Sequence, residues 1–196
     1  MAGEFVLRTL AHVWAALAPA RLPVAVMGGL ALAVWKHVRA TRDVDLLIEF
    51  NPADLPKLVA TLRAAGLRAK HGATPTRLGE LELVEFLYEP PDTFLDVQVD
   101  VLVAQSDYHH AALRRRIATR LPGSDLEISV LACEDLILHK LLAGRVIDRY
   151  DATALLRTNR PQLDVGYLLR WAEHLRVTGE LGEVWQEACP GEVFPP

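Results

Sequence analysis

With 196 residues, the chain has room for one ordinary domain or a compact core with a helical appendage. Its 51% hydrophobic content can fill a buried core, and its 23% charged residues suit a water-facing surface. A net charge of −4 and a pI near 6.0 exclude a bulk basic field that would draw the whole chain onto nucleic acid.

The first twenty residues are apolar but carry Glu4, Arg8 and His12. They read as an amphipathic helix with Val6, Leu10, Val13, Trp14 and Leu17 on one face, and not as a signal peptide. Pro23 then opens a short strand, Val24 to Met27, which Gly28-Gly29 breaks to start a helix through about His37. Val44 to Phe50 is nearly all apolar, as expected of a strand covered on both faces. Asn51-Pro52 starts the next helix and Gly66 ends it. Leu81 to Tyr88 and Phe94 to Val103 read as two strands separated by the turn signal Glu89-Pro90-Pro91-Asp92. A helix from about Asp107 to Ala118 follows, then a loop and a short extended piece, Leu126 to Val130. Beyond Ala132 the pattern is helical, over about 132–143, 146–158, 164–175 and 181–188. The expectation is an α+β fold, a small mixed sheet flanked by helices. The α/β core would occupy residues 1–128 and a helical region residues 129–196. No stretch reaches the roughly 18 apolar residues of a membrane span. Cys133 and Cys189 lack metal-ligand spacing and read as reduced thiols, so a cytoplasmic location is expected.

Three segments carry chemistry. Val26-Met27-Gly28-Gly29 is a strand that breaks into a helix, leaving backbone N–H groups unpaired at the positive end of its dipole. Glycines there let a phosphate approach the main chain. Thirteen residues later comes Asp43-Val44-Asp45. Two positions apart on a strand, these carboxylates leave the same face about 6.6 Å apart and can converge on one metal or share a pair. The third segment alternates: Val97, Val99, Val101 and Val103 face one way, and Asp96, Gln98 and Asp100 the other. Asp100 sits among valines, where an unpaired charge is costly and a metal ion would compensate it. Asp96 lies near the Pro90-Pro91 turn, where water can solvate it, so Asp100 is the preferred ligand. Taken singly, a Gly-Gly pair is an ordinary turn and Asp-x-Asp an ordinary strand end. Their order and separation, with a third acidic strand in reach, carry the argument.

Further along, Lys140 neighbours Leu136, Ile137, Ala143 and Gly144 on its helix, so it either snorkels to water or points into a site. Read as a lone charge on an apolar face, it predicts that Lys140→Met keeps stability within about 1 kcal/mol while weakening nucleotide binding. Asp148 and Asp151 share a helical face, where pairing with Arg145 or Arg149 is the ordinary reading. Arg114-Arg115-Arg116 with Arg120 is the one basic cluster able to hold RNA, although consecutive helical residues point about 100° apart and a solvated face fits it better.

The pattern Gly28-Gly29, Arg39-x-Thr41-x-Asp43-x-Asp45, Asp100, Glu134-Asp135, Lys140, Arg145-x-x-Asp148-x-x-Asp151 resembles the stand-alone nucleotidyltransferases of the polymerase-beta superfamily. It is most similar to their AbiEii-like branch, the type IV abortive-infection toxins, over roughly residues 24–157. The resemblance implies two Mg²⁺ ions (or Mn²⁺) on Asp43, Asp45 and Asp100, which would serve as both catalytic and metal-binding residues. It places NTP phosphates at Gly28 and Gly29, with Lys140, Arg39, Thr41 and Asp148 lining the nucleotide pocket. One metal would activate the acceptor oxygen and the other neutralise the triphosphate. Where many members have Gly-Ser at the turn, Gly29 offers only its backbone N–H. The implied acceptor is an RNA, tRNA above all, or a small hydroxylated molecule such as an antibiotic, and the resemblance leaves room for an antitoxin protein. A nucleotide-binding regulator without turnover is the third reading, against which the three intact aspartates argue.

Overall fold

Residues 97–103 alternate so strictly that their valines go to the core, and the sheet is assembled around them. The computed structural model describes residues 2–78 and 81–195. Among these, eight strands form one mixed sheet: β1 (Val24–Met27), β2 (Asp43–Ile48), β3 (Arg68–Ala69), β4 (Thr76–Leu78), β5 (Leu81–Tyr88), β6 (Val97–Val103), β7 (Ile117–Arg120) and β8 (Glu127–Val130). Their spatial order is β3-β5-β6-β2-β1-β8-β7, with β4 paired to β5. β2 runs parallel to β6 and β1 parallel to β8, and the remaining pairs are antiparallel. Val97, Val99, Val101 and Val103 are buried, and Gln98 and Asp100 stay half-exposed on the other face.

Helices flank the sheet. α1 (Ala2–Leu17) buries Val6, Leu10, Val13 and Leu17, one stripe at helical spacing, and packs against α3 (Leu55–Ala64), β2 and β6. α2 (Gly28–Val34) follows β1, and α4 (Asp107–Arg114) starts at Ser106, whose hydroxyl accepts from the His109 backbone N–H. The C-terminal helices are α5 (Cys133–Ala143), α6 (Val146–Asn159), α7 (Val165–His174) and α8 (Thr178–Ala188). Every residue of α5 from Cys133 to Leu141 is buried, because α2, α6 and α7 all pack on it. No helix among the described residues is long and apolar enough to cross a membrane. Cys133 and Cys189 are both free and buried.

Several element limits differ from the sequence reading. β2 begins at Asp43 and ends at Ile48, and β6 begins at Val97. Phe94 and Leu95 stand outside the ladder, which ends at the Tyr88–Val97 pair, and Phe94 is fully exposed. α2 stops at Val34, two residues before Lys36 takes a left-handed conformation. α4 stops at Arg114, and Ile117–Arg120 pairs with β8 as an edge strand in place of a last helical turn. Edge position explains why it was hidden: its burial shows no alternation. The short strands β3 and β4, too brief for a period, also widen the sheet beyond the expected small one. β8 spans residue 128 and joins β1 at Val26–Val130, so the sheet continues across the expected division at 128/129.

Two histidines are enclosed where α4 meets α5. His109 and His139 stack with ring centroids 5.5 Å apart. Burial pushes His109 down to about 4 and His139 down to about 3, so both rings are neutral in the folded chain. An unfolded histidine takes its proton below about 6.5, so this pair costs stability as pH falls from there. Asp45 and Asp135, raised to about 7 and about 6, act in the opposite sense across an overlapping range. The comparison to make is therefore between variants. His139→Phe should gain about 2 kcal/mol on wild type between pH 7.5 and pH 5 in urea unfolding, and a pH-independent difference would show that His139 is not held neutral.

Candidate active site

Asp43, Asp45 and Asp100 come together because β2 and β6 are parallel neighbours in register. Asp45 lies directly beside Asp100, and Asp43 beside Gln98. Adjacent strands stand about 4.8 Å apart, so the three carboxylates share one patch at the start of β2. On its other side Asp45 pairs with Met27, the last residue of β1, which brings the Gly28-Gly29 turn against it.

The two glycines are required by that closeness. Gly28 has a φ of +60°, and a Cβ there would lie 1.8 Å from Asp45 Oδ2. A Cβ on Gly29 would lie 2.5 Å from Thr41 Oγ1. The turn thus admits a carboxylate and a hydroxyl against bare backbone. α2, which it opens, has only seven residues, so its dipole adds little. Gly28→Ala combines left-handed strain with displacement of Asp45, and should cost about 2–4 kcal/mol in denaturant unfolding. A wild-type midpoint in that variant would show that Asp45 does not need the space.

Electrostatics at the patch are unfavourable without a cation. Burial, then the Asp43 and Asp100 charges, push Asp45 up to about 7, and Lys140 and Arg145 only partly oppose this. Asp100 is also raised, by burial first, with Glu85 and Asp43 adding to it and a hydrogen bond from Gln98 opposing. Thr41 Oγ1 donates to Asp43 Oδ1 at 2.5 Å, and Gln98 Nε2 donates to both Asp100 oxygens at 2.9 and 3.1 Å. Among the described residues no three acidic, histidine or cysteine side chains are already gathered into an ion site. The donor set nevertheless fits a hard divalent cation: three carboxylates, two of them with ionisation suppressed first by burial and then by neighbouring carboxylates.

Lys140 is not a lone charge. Its Nζ lies 2.8 Å from Asp148 Oδ1 and 2.9 Å from Asp151 Oδ2, and all three side chains are buried. Burial alone would raise Asp148, but hydrogen bonds from Arg145 and Lys140 overcome it and hold the carboxyl below its usual range. Asp151 is held low in the same way by Arg39, Lys140 and His37. Arg39 Nε donates to Asp151 at 3.0 and 3.1 Å, and His37 Nε2 lies 2.9 Å from it. So Lys140, Asp148 and Arg39 belong to one charged cluster behind the patch, and Thr41 to the patch itself. Arg145 bridges them. Its guanidinium grips Asp148 at 2.5 Å, its side chain is 70% exposed, and its charge is felt by Asp45 and Asp43.

Sequence reasoning left Arg145, Asp151 and His37 out of the candidate site, although the spacing Arg145-x-x-Asp148-x-x-Asp151 was visible. Glu85 was also missed: β5 sets it directly beside Asp100, a pairing that no local pattern announces. Asp96 lies apart, half-exposed and paired with Arg68. Part of the basic run is engaged within the chain. Arg115 lies 3.7 Å over the Tyr167 ring and pairs with Glu134, and Arg120 pairs with Glu127.

The chain can be compared with known proteins on this geometry. Its backbone resembles that of the antibiotic-resistance factor ANT(2″)-Ia, solved in complex with adenylyl-2″-tobramycin, with a TM-score of 0.56 at 17% identity over 88% of this chain and 98% of that one. A Helicobacter pylori protein described as a nucleotidyltransferase gives 0.55 at 13% identity over 97% and 84%. A Thermotoga maritima protein described in the same way gives 0.53 at 13% over 80% and 95%. At these identities the likeness is one of fold. No curated protein sequence matches the chain. The family model for the nucleotidyl transferase AbiEii toxin of type IV toxin–antitoxin systems matches residues 8–181, and the chain, an enzyme with the nucleotidyltransferase fold, belongs to that family.

Proposed function

We propose that the chain transfers a nucleoside monophosphate from an NTP to an acceptor hydroxyl, with Asp43, Asp45 and Asp100 holding two Mg²⁺ ions, or Mn²⁺ in their place. The observation that carries this is the register pairing of Asp45 with Asp100 beside Asp43, which gathers three carboxylates whose repulsion a divalent cation would relieve; burial first, then the Asp43 and Asp100 charges, push Asp45 up to about 7. When bound, the metal ions supply neutralisation of the triphosphate and acidification of the acceptor hydroxyl. The acceptor oxygen bonds to the α-phosphorus, the bond to the α–β bridging oxygen breaks, and pyrophosphate leaves. Asp100, beside Asp45 on the strand nearest the acceptor, would hold the metal that activates the acceptor hydroxyl and assist its deprotonation.

The sheet order supports separate places for the two substrates. Gly28 and Gly29 lie on the β1 side of Asp45, the Arg145 charge acts on Asp45, and β5 lies on the far side of Asp100. The NTP therefore occupies the first side, with its phosphates near the Gly28 and Gly29 backbone and the exposed Arg145 guanidinium. Thr41 orients Asp43, while Lys140, Asp148 and Arg39 fix the charged cluster behind the nucleotide. The acceptor approaches over β5 and β6.

Membership of a toxin family favours the end of a tRNA as acceptor, cytoplasmic action, and an antitoxin protein as partner. A small hydroxylated acceptor is the second reading. The −4 charge and the internal use of Arg115 favour it, as does the fold shared with an antibiotic-resistance factor solved in complex with adenylyl-2″-tobramycin. Calorimetry with a non-hydrolysable NTP analogue tests the metal requirement. Binding should need Mg²⁺ or Mn²⁺ and vanish when both Asp43 and Asp45 are changed to Asn. Equal binding in the presence of EDTA would refute the metal assignment.

A further inference from the structure

Beyond Asp100, on the acceptor side, three side chains close a hydrogen-bonded triangle. Lys70 Nζ donates to Glu85 Oε1 at 2.7 Å and to Gln98 Oε1 at 3.2 Å. Gln98 Nε2 donates to Glu85 Oε1 at 3.3 Å and to Asp100 at 2.9 and 3.1 Å. Both N–H groups of the Gln98 amide thus face carboxylates, and its oxygen faces an ammonium. A flipped amide would put its oxygen against Glu85 and Asp100 and its NH₂ against Lys70, so Lys70, Glu85 and Asp100 together dictate which way the amide points, with Lys70 as the donor to its oxygen. Lys70 itself begins a tight loop along the outer edge of β5, joining β3 to β4, in which His71, Gly72 and Ala73 all take left-handed backbone angles. Such a loop is expensive to build and fixes where the lysine enters.

We propose that Gln98 and Lys70 are positioning residues for Asp100: Gln98 aims the carboxylate, and Lys70 locks the polarity of the Gln98 amide. This rests on the nucleotidyltransferase reading for its consequence, because Asp100 is the carboxylate nearest the acceptor. It does not rest on that reading for the lock, which is a property of the chain alone. A partly exposed Lys–Glu pair contributes little to stability. What it supplies here is direction. Losing the lock should slow transfer and leave NTP affinity as it was, since the nucleotide lies on the other side of Asp45.

The test follows the Gln98 side-chain amide by ¹H–¹⁵N NMR, with turnover measured in parallel. Wild type should show two well-separated, slowly exchanging Gln98 amide protons. In Lys70→Met, which takes the donor from the Gln98 oxygen and the counter-charge from Glu85, they should shift towards the position of a solvated glutamine while Tm barely moves. kcat should fall about ten- to hundredfold with KM for NTP unchanged, the size expected of a misaimed catalytic group. Lys70→Arg, which keeps a donor for the Gln98 oxygen, should restore both readouts. An unchanged Gln98 signal in Lys70→Met would overturn the proposal whatever the activity. A chain that transfers nothing to any acceptor would instead refute the functional reading, and the Gln98 signal would still decide the lock.

Discussion

Asp45→Asn is expected to abolish transfer and yet to leave the metal-free protein more stable than wild type. Its carboxyl is raised from 3.8 to about 7, first by burial and then by Asp43 and Asp100. The folded chain holds the Asp45 proton more tightly than the unfolded chain does, so stability falls as pH rises from about 4 to 7 and the full penalty is present above 7. Each unit is worth about 1.4 kcal/mol, so Asp45→Asn should gain on the order of 3–4 kcal/mol at pH 8 and almost nothing at pH 4. Asp100→Ala should likewise remove transfer and weaken metal binding, whereas Asp96→Ala, which loses only a half-exposed pair with Arg68, should cost little of either. The measurement is urea unfolding at the two pH values beside a transfer assay. Destabilisation of Asp45→Asn at pH 8, or retained turnover, would show that Asp45 is a structural carboxylate.

Lys140→Met is expected to destabilise by about 3–5 kcal/mol, the loss typical of breaking a buried ion pair from one side. This reverses the sequence expectation of about 1 kcal/mol, which took the side chain for a lone charge. Its ammonium lies within 2.9 Å of both Asp148 and Asp151, which are themselves fully buried. Arg145 and Arg39 still hold one carboxylate each in the variant, so the fold survives but its margin shrinks. Equilibrium urea unfolding gives the number. A loss below about 1 kcal/mol would mean that the two arginines suffice and that Lys140 is free to act on the nucleotide.

What the sequence made legible follows from distance along the chain. The valine alternation of β6, the stripe of α1 and the Gly28-Gly29 break are local signals, and each lies where the spacing placed it. Asp43 and Asp45 share a face by alternation alone, and the Asp100 choice rested on burial among valines. That Asp45 and Asp100 are register neighbours depended on a parallel pairing between segments fifty residues apart, which alternation supports but does not specify. The charged cluster was partly hidden for a related reason. Helical spacing places Asp148 and Asp151 on one face of α6, but nothing in it says that α5 lies against that face with Lys140 pointing in. Glu85 and Lys70 were invisible because Glu85 reaches Asp100 only through the β5–β6 register, and Lys70 reaches Glu85 only through the two-residue β3–β5 pairing. β7 was lost because an edge strand half in water has no period to read.

The most direct measurement of the central claim is label transfer from NTPs carrying ³²P at the α or the γ position, with Mg²⁺ and either total tRNA or an aminoglycoside as acceptor. The α label is expected to enter the acceptor and the γ label to leave as pyrophosphate, from wild type and not from the chain with both Asp43 and Asp45 changed to Asn. Transfer of the γ label, or α transfer that survives the double change, would contradict nucleotidyl transfer at these carboxylates.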